Sequence, residues 1–153
     1  MGKITSRLAE LGLELPDAPA PAANYVPFVR SGNQLFVSGQ ISAGPDGLIT
    51  GRVGDTMTVA EGAAAAQRCG LALLAQAQAA CGGDLDRVKR LIKLAGFVNS
   101  TPDFTDQPEV INGCSDMMVA VLGDAGRHAR SAVSAAALPR GVAVEIEAVF
   151  EVE

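Results

Sequence analysis

Near the C-terminal end of the chain, two carboxylates and one arginine have the types and spacing to handle a small anion. In Val142-Ala-Val-Glu-Ile-Glu-Ala-Val-Phe150 every even position is apolar. A period of two belongs to an extended strand, so Ala143, Glu145 and Glu147 share the opposite face. Strand rise sets the two carboxylates about 6.6–6.8 Å apart. A solvated face is the plain reading of such a pair. Arg130 stands on the preceding run, Arg130-Ser-Ala-Val-Ser-Ala-Ala, whose other residues are small and uncharged. Its guanidinium either neutralises a nearby carboxylate in a structural ion pair or grips a carboxylate ligand through two parallel N–H bonds.

Other patterns carry less chemistry. There is no GxGxxG after a strand, no phosphate-binding GxxxxGK[ST] run, no HExxH and no GxSxG. His128 is the one histidine, and a single imidazole cannot make a zinc site. Cys69, Cys81 and Cys114 are odd in number and lack CxxC spacing. They are expected as small core residues in a reducing cytoplasm, not as a disulfide or zinc framework. Asp84 and Asp86 follow Gly82-Gly83 and read as turn and helix-start carboxylates that accept backbone N–H bonds. Asn99-Ser-Thr101 matches a glycosylation sequon, which a cytoplasmic setting makes accidental.

The 153 residues suffice for one domain, and 48% hydrophobic against 19% charged supplies a core and excludes a disordered chain. Aromatics are only 4%, so that core must be aliphatic and alanine-rich. Twelve Lys and Arg face seventeen Asp and Glu, a net charge of −5. An acidic chain with no basic run is a poor partner for a phosphate backbone, so no nucleic acid is expected. No apolar stretch approaches the roughly 20 residues that span a bilayer, so no membrane partner is expected either. Arg7, Glu10 and Glu14 within the first sixteen residues argue against a signal peptide. Met1-Gly2 with Ser6 fits only a loose myristoylation pattern.

The elements that must position the candidate residues follow from patterning. Residues 4–14 predict a short helix, broken by four prolines between 16 and 27. Tyr25–Arg30 and Gln34–Ser38 predict a hairpin turned by Ser31-Gly32-Asn33, with a further short strand near Leu48–Thr50. Met57–Ala80 predicts a long helix, opened by the capping box Thr58-Val-Ala-Glu61 and closed by Gly82-Gly83. Val88–Asn99 predicts a strand, and Thr101-Pro-Asp103 the start of a second long helix ending at Gly123. Strands over Ala129–Ala136 and Gly141–Glu151 complete the order β-β-(β)-α-β-α-β-β. That order implies an α+β fold, a mixed sheet with two helices packed on one face.

The same residues carry a family resemblance. Arg130-Ser-Ala-Val, then Leu138-Pro139, then Val144-Glu-Ile-Glu-Ala148 resembles the C-terminal signature of the RidA/YjgF family of reactive-intermediate deaminases. Leu35-Phe-Val-Ser-Gly-Gln-Ile41 is similar to that family's second strand. Phe97-Val-Asn, Asp103-Phe104 and Asn112 resemble its central strand and second helix, and Tyr25 stands where it has a tyrosine near the N-terminus. The likeness covers about residues 22–152, which leaves 1–21 as an N-terminal extension, a short helix and a Pro/Ala connector, before a single domain over 22–153. Ala23-Asn24-Tyr25 replaces the family's frequent Gly-Pro-Tyr, and Ala132 stands where a cysteine is common.

The resemblance implies a chorismate-mutase-like fold assembled as a homotrimer with clefts between subunits. It implies hydrolysis of enamines and imines of 2-keto acids, such as 2-aminoacrylate, to the keto acid and ammonia, with no metal or organic cofactor. Arg130 would clamp the substrate carboxylate and Glu145 would position or activate water. Tyr25, Ser38, Gly39 and Asn112 would line the pocket, and the backbone at Ala132 would touch the ligand. These residue types suit that chemistry. An imine carbon is already electrophilic, so orientation, water and a proton relay suffice. The alternative is a non-catalytic trimeric binding protein that holds small carboxylate metabolites through Arg130. Endoribonuclease labels also attach to the family, and the acidic charge speaks against them here.

Overall fold

The structure, a computed structural model, describes residues 2–21 and 23–153. Its centre is a five-stranded sheet in the order β1 (Phe28–Ser31), β2 (Gln34–Ile41), β7 (Val144–Val152), β5 (Val88–Asn99), β6 (Ala129–Ala135). All neighbours are antiparallel except β5 and β6, which run parallel because the helix α3 (Gln107–Leu122) crosses between them. A small hairpin of β3 (Ala43–Gly44) and β4 (Gly47–Leu48) stands beside the sheet, where the sequence predicted one short strand near 48–50. The long helix α2 (Val59–Ala80) and α3 cover one sheet face.

A third helix, α1 (Lys3–Glu10), joins that layer at its edge, with Leu8 buried in the common core. Asp86 holds its first turn, its carboxylate accepting the backbone N–H groups of Lys3 and Ile4 at 2.9 and 3.0 Å. Those bonds lower the Asp86 pKa, and Asp84 accepts the N–H of Asp86 in the same way. The predicted helix 4–14 ends early, at Glu10, through a Schellman closure. Leu13 N–H bonds to Leu8 O and Gly12 N–H to Ala9 O, with Gly12 at φ 68°.

The capping box on α2 forms as the sequence implies: Glu61 N–H bonds to Thr58 Oγ1 at 3.1 Å, and Thr58 N–H to Glu61 Oε1 at 3.0 Å. Helix α3 starts at Gln107, not at Thr101. Val53 accounts for the delay, since its carbonyl accepts the Thr101 N–H and it bridges Ser100. The chain therefore stays extended past Asn99, and Pro108 takes the first turn, where its missing N–H costs nothing. The last strand likewise starts at Val144 because Arg140 and Gly141 turn with positive φ, 58° and 72°.

Small residues let the two covering helices touch backbone to backbone. A Cβ on Gly113 of α3 would overlap the Ala63 carbonyl oxygen of α2 and stand 2.6 Å from its carbon. Gly113→Ala is therefore expected to force the helices apart and cost about 2–3 kcal/mol, as overpacking does. Chemical denaturation of both proteins checks it, and equal stability would contradict so tight a contact.

Candidate active site

Glu145 sits on the uncovered side of β7. Its neighbours Val144 and Ile146 are fully buried beneath the helices, as the alternation requires. Opposite, β2 carries a bulge: Val37 faces Ala148 and Gln40 faces Ile146, so Ser38 and Gly39 share one position of β7. The Glu145 carboxyl lies over the bulge. A Cβ on Gly39 would overlap Glu145 Oε2 and stand 3.0 Å from the carboxyl carbon. Only glycine leaves that space open.

This pair forms the polar floor of an otherwise largely apolar cleft of about 470 Å³. Tyr25, Pro27, Ile41, Leu48, Pro139 and the Pro19–Pro21 segment make its walls, with Arg140 at the same site. Burial, and secondarily the like charge of Glu147, raises the Glu145 pKa. A carboxyl so tuned takes and returns a proton closer to neutral pH than an ordinary glutamate. The folded state holds that proton more tightly than the unfolded chain. Glu145 therefore withdraws stability as pH rises through its raised pKa. Ser38 serves this half from behind. Its hydroxyl donates to Val26 O at 2.8 Å and its N–H to Pro27 O at 2.9 Å, which pins the segment next to Tyr25.

Arg130 belongs to a second group of residues. It pairs in register with Leu94, and Ala132 with Gly96. A Cβ on Gly96 would strike Ile111 of α3, so this sheet face looks toward α3. The Arg130 guanidinium spans that helix, donating from Nη1 to Ser115 Oγ at 3.0 Å and from Nη2 to Pro108 O at 3.3 Å. Asn112 lies on the same stripe of α3, one turn from each. His128 completes the group: Nε2 is 2.9 Å from Ser115 Oγ, and Nδ1 is 2.6 Å from Gly126 O. With Nδ1 protonated toward that carbonyl, Nε2 accepts from the serine, whose oxygen in turn receives Arg130. The hydroxyl is then a coupler that fixes the guanidinium.

The structure thus brings Glu145, Gly39 and Tyr25 together, and separately gathers Arg130, Asn112 and Ala132. It does not bring the two sets together within one chain. They occupy opposite faces of the sheet, with β5 between their strands. Sequence reasoning misses Ser115, His128 and Arg140 as site residues. The first two meet across thirteen residues of chain by tertiary folding alone. For Arg140 the one available signal is an Arg-Gly turn after proline. Cys69, Cys81 and Cys114 are buried, and burial pushes the Cys114 thiol up to about 12. Among the described residues no helix is long and apolar enough to cross a membrane.

Known proteins share this arrangement of elements. The profile of the family described as "YjgF/chorismate_mutase-like, putative endoribonuclease" matches residues 5–148. Protein TCP17 of Trypanosoma cruzi is 53% identical over 152 residues, covering 98% of this chain and 94% of its own. A crystal structure of a protein of unknown function from Agrobacterium tumefaciens is 49% identical, covers 98% of this chain and 92% of its own, and superposes with TM-score 0.91. The YjgF gene product of E. coli is 30% identical, covers 88% and 93%, and superposes with TM-score 0.61.

If Glu147 contributes to the proton affinity of its neighbour, Glu147→Gln should lower the Glu145 pKa without changing its burial. Carboxyl-carbon NMR titration of the two proteins measures this directly. An unmoved Glu145 titration would assign the whole shift to burial.

Proposed function

The chain belongs to the YjgF/chorismate-mutase-like family, and from that premise we propose that it hydrolyses reactive enamines and imines of 2-keto acids to the keto acid and ammonia. The observation that carries this reading is the Glu145 carboxyl, raised in pKa and seated against the Gly39 backbone inside a largely apolar cleft.

An enamine such as 2-aminoacrylate reaches the imine by protonation at carbon. Water then adds: a C–O bond forms as the π pair of C=N moves to nitrogen, which takes a proton. Collapse of the carbinolamine breaks C–N, expels ammonia and leaves the 2-keto acid. Glu145 as carboxylate accepts the proton of the attacking water, and as acid returns it to the departing nitrogen. Arg130 holds the substrate carboxylate through its planar fork, held ready by Ser115 and the Pro108 carbonyl. Tyr25 and the Gly39 backbone border the reacting atoms, and Asn112 and the Ala132 backbone border the carboxylate.

One ligand touching both Arg130 and Glu145 must take them from different protomers, because one chain presents them on opposite sheet faces. The uncovered face supports such assembly. Val29, Phe36 and Val133 stand 54%, 44% and 46% exposed on it, an apolar surface that a second copy would remove from water. A homotrimer with its clefts between subunits satisfies both requirements, and a small carboxylate-bearing metabolite is its ligand.

Arg130→Ala should cost on the order of 3 kcal/mol, more than a hundredfold in kcat/KM, and Arg130→Lys nearly as much, because an ammonium lacks the two-point fork. Glu145→Gln should spare ligand affinity and depress turnover. Ammonia release from an enamine generated in situ, beside calorimetric titration with a 2-keto acid, reads both. Unchanged affinity in Arg130→Ala would remove the clamp, and tight binding without turnover in the unaltered protein would make it a binding protein.

A further inference from the structure

A chain of hydrogen bonds stands behind Arg130, and its two ends fix the order of donors and acceptors along it. A guanidinium only donates, so Ser115 Oγ accepts the Arg130 Nη1 proton at 3.0 Å. A carbonyl only accepts, so Nδ1 of His128, 2.6 Å from Gly126 O, carries the proton of the neutral ring. Nε2 is then left as an acceptor, and the Ser115 hydroxyl 2.9 Å away donates to it. Every bond runs the same way, from Arg130 to the backbone at Gly126.

The far end of the chain is anchored. Gly126 closes the turn Gly123–Gly126 and is buried, and a Cβ on it would overlap the Met118 carbonyl oxygen of α3. The accepting carbonyl thus belongs to backbone pressed against that helix. The near end is a cation without a counter-ion: among the described residues the ion pairs are Arg7–Glu10 and Arg127–Asp124. Ser115 and Pro108 offer Arg130 neutral oxygens and occupy two of its five N–H groups. The guanidinium is oriented while its charge is left for something else.

Resting on the proposed function above, we propose that His128 is a positioning residue for the bound carboxylate, acting on Arg130 through Ser115. With an acceptor at Nε2 the serine proton points away from Arg130, and a lone pair of the oxygen faces the guanidinium. Without that acceptor the hydroxyl is free to turn to the carbonyl four residues earlier on its own helix, and the fork loses its fixed side. Neither residue touches substrate. The carboxylate is held alike in the ground and transition states, so their loss raises KM and leaves kcat.

A double-mutant cycle tests this, read by ligand-observed NMR titration with 2-oxobutanoate, which follows weak as well as tight binding. His128→Asn keeps a donor for Gly126 O and lacks the acceptor at Nε2. It and Ser115→Ala should each weaken binding about tenfold, the net worth of one hydrogen bond to a charged system. His128→Gln, whose amide reaches the place of Nε2, should recover most of that loss. In an Arg130→Ala background neither change should weaken binding further. For imines generated in situ, KM should rise in the same ratio while kcat stays within about twofold. Thermal melts establish folding, and either substitution carries the test if the other does not fold. Affinity unmoved in the folded variants, or an equal loss with and without Arg130, overturns the positioning role and leaves the clamp and deamination standing. The full pattern of binding with no turnover of any imine upholds positioning and overturns deamination. Unchanged affinity in Arg130→Ala overturns both.

Discussion

The contact on which the site depends is that between the Glu145 carboxyl and the bare backbone of Gly39. Two antiparallel strands in perfect register would leave Glu145 standing clear of the sheet, solvated and ordinary. The bulge at Ser38–Gly39 and the missing side chain at 39 let the carboxyl lie down against its neighbour strand. There it loses water and gains proton affinity. The surroundings serve to keep this arrangement: Ser38 ties down Val26 and Pro27, and the buried Gln40 and Gln76 tie the bulge to the segment that walls the cleft. Two buried amides are thus accounted for by one small displacement of chain.

A second constraint is geometric. A two-layer fold covers one sheet face with helices and leaves the other to water. The Glu145 carboxyl lies on the open face, while the Arg130 cation faces α3 from the edge strand β6. Under the proposed function, Glu145 needs the open face to meet a ligand. Arg130 needs the hydroxyl and carbonyl oxygens that α3 supplies at Ser115 and Pro108 to hold its fork flat. The division makes assembly part of the chemistry under the proposed function, with each protomer contributing half of every site.

Much of this is legible in sequence where the physics is local. Strand β5 runs over the predicted Val88–Asn99, and the Thr58–Glu61 capping box and the inward row 142–150 form as written. The misread boundaries have distant causes. Val53 holds Thr101 out of α3, and Gly12 closes α1 before any proline is reached. The face taken by Arg130 is not legible, because the other residues of β6 are small and uncharged and show no alternation to set its parity. The Ser38–Gly39 bulge is equally hidden: glycine in a strand invites a bulge, but only the partner strand decides it. His128 bonds to Gly126 two residues before it, but its other partner, Ser115, meets it only in the fold.

Under the proposed function, Arg130 and Glu145 act from different protomers, and subunit mixing tests this most directly. Arg130→Ala and Glu145→Gln chains, each inactive alone, can be unfolded together, refolded as an equimolar mixture, and assayed for ammonia release. In a head-to-tail ring assembled at random, about one quarter of the sites join an intact Arg130 to an intact Glu145. Activity should therefore return to about a quarter of that of the unaltered protein. Mixed assemblies demonstrated by native mass spectrometry but devoid of activity would contradict it.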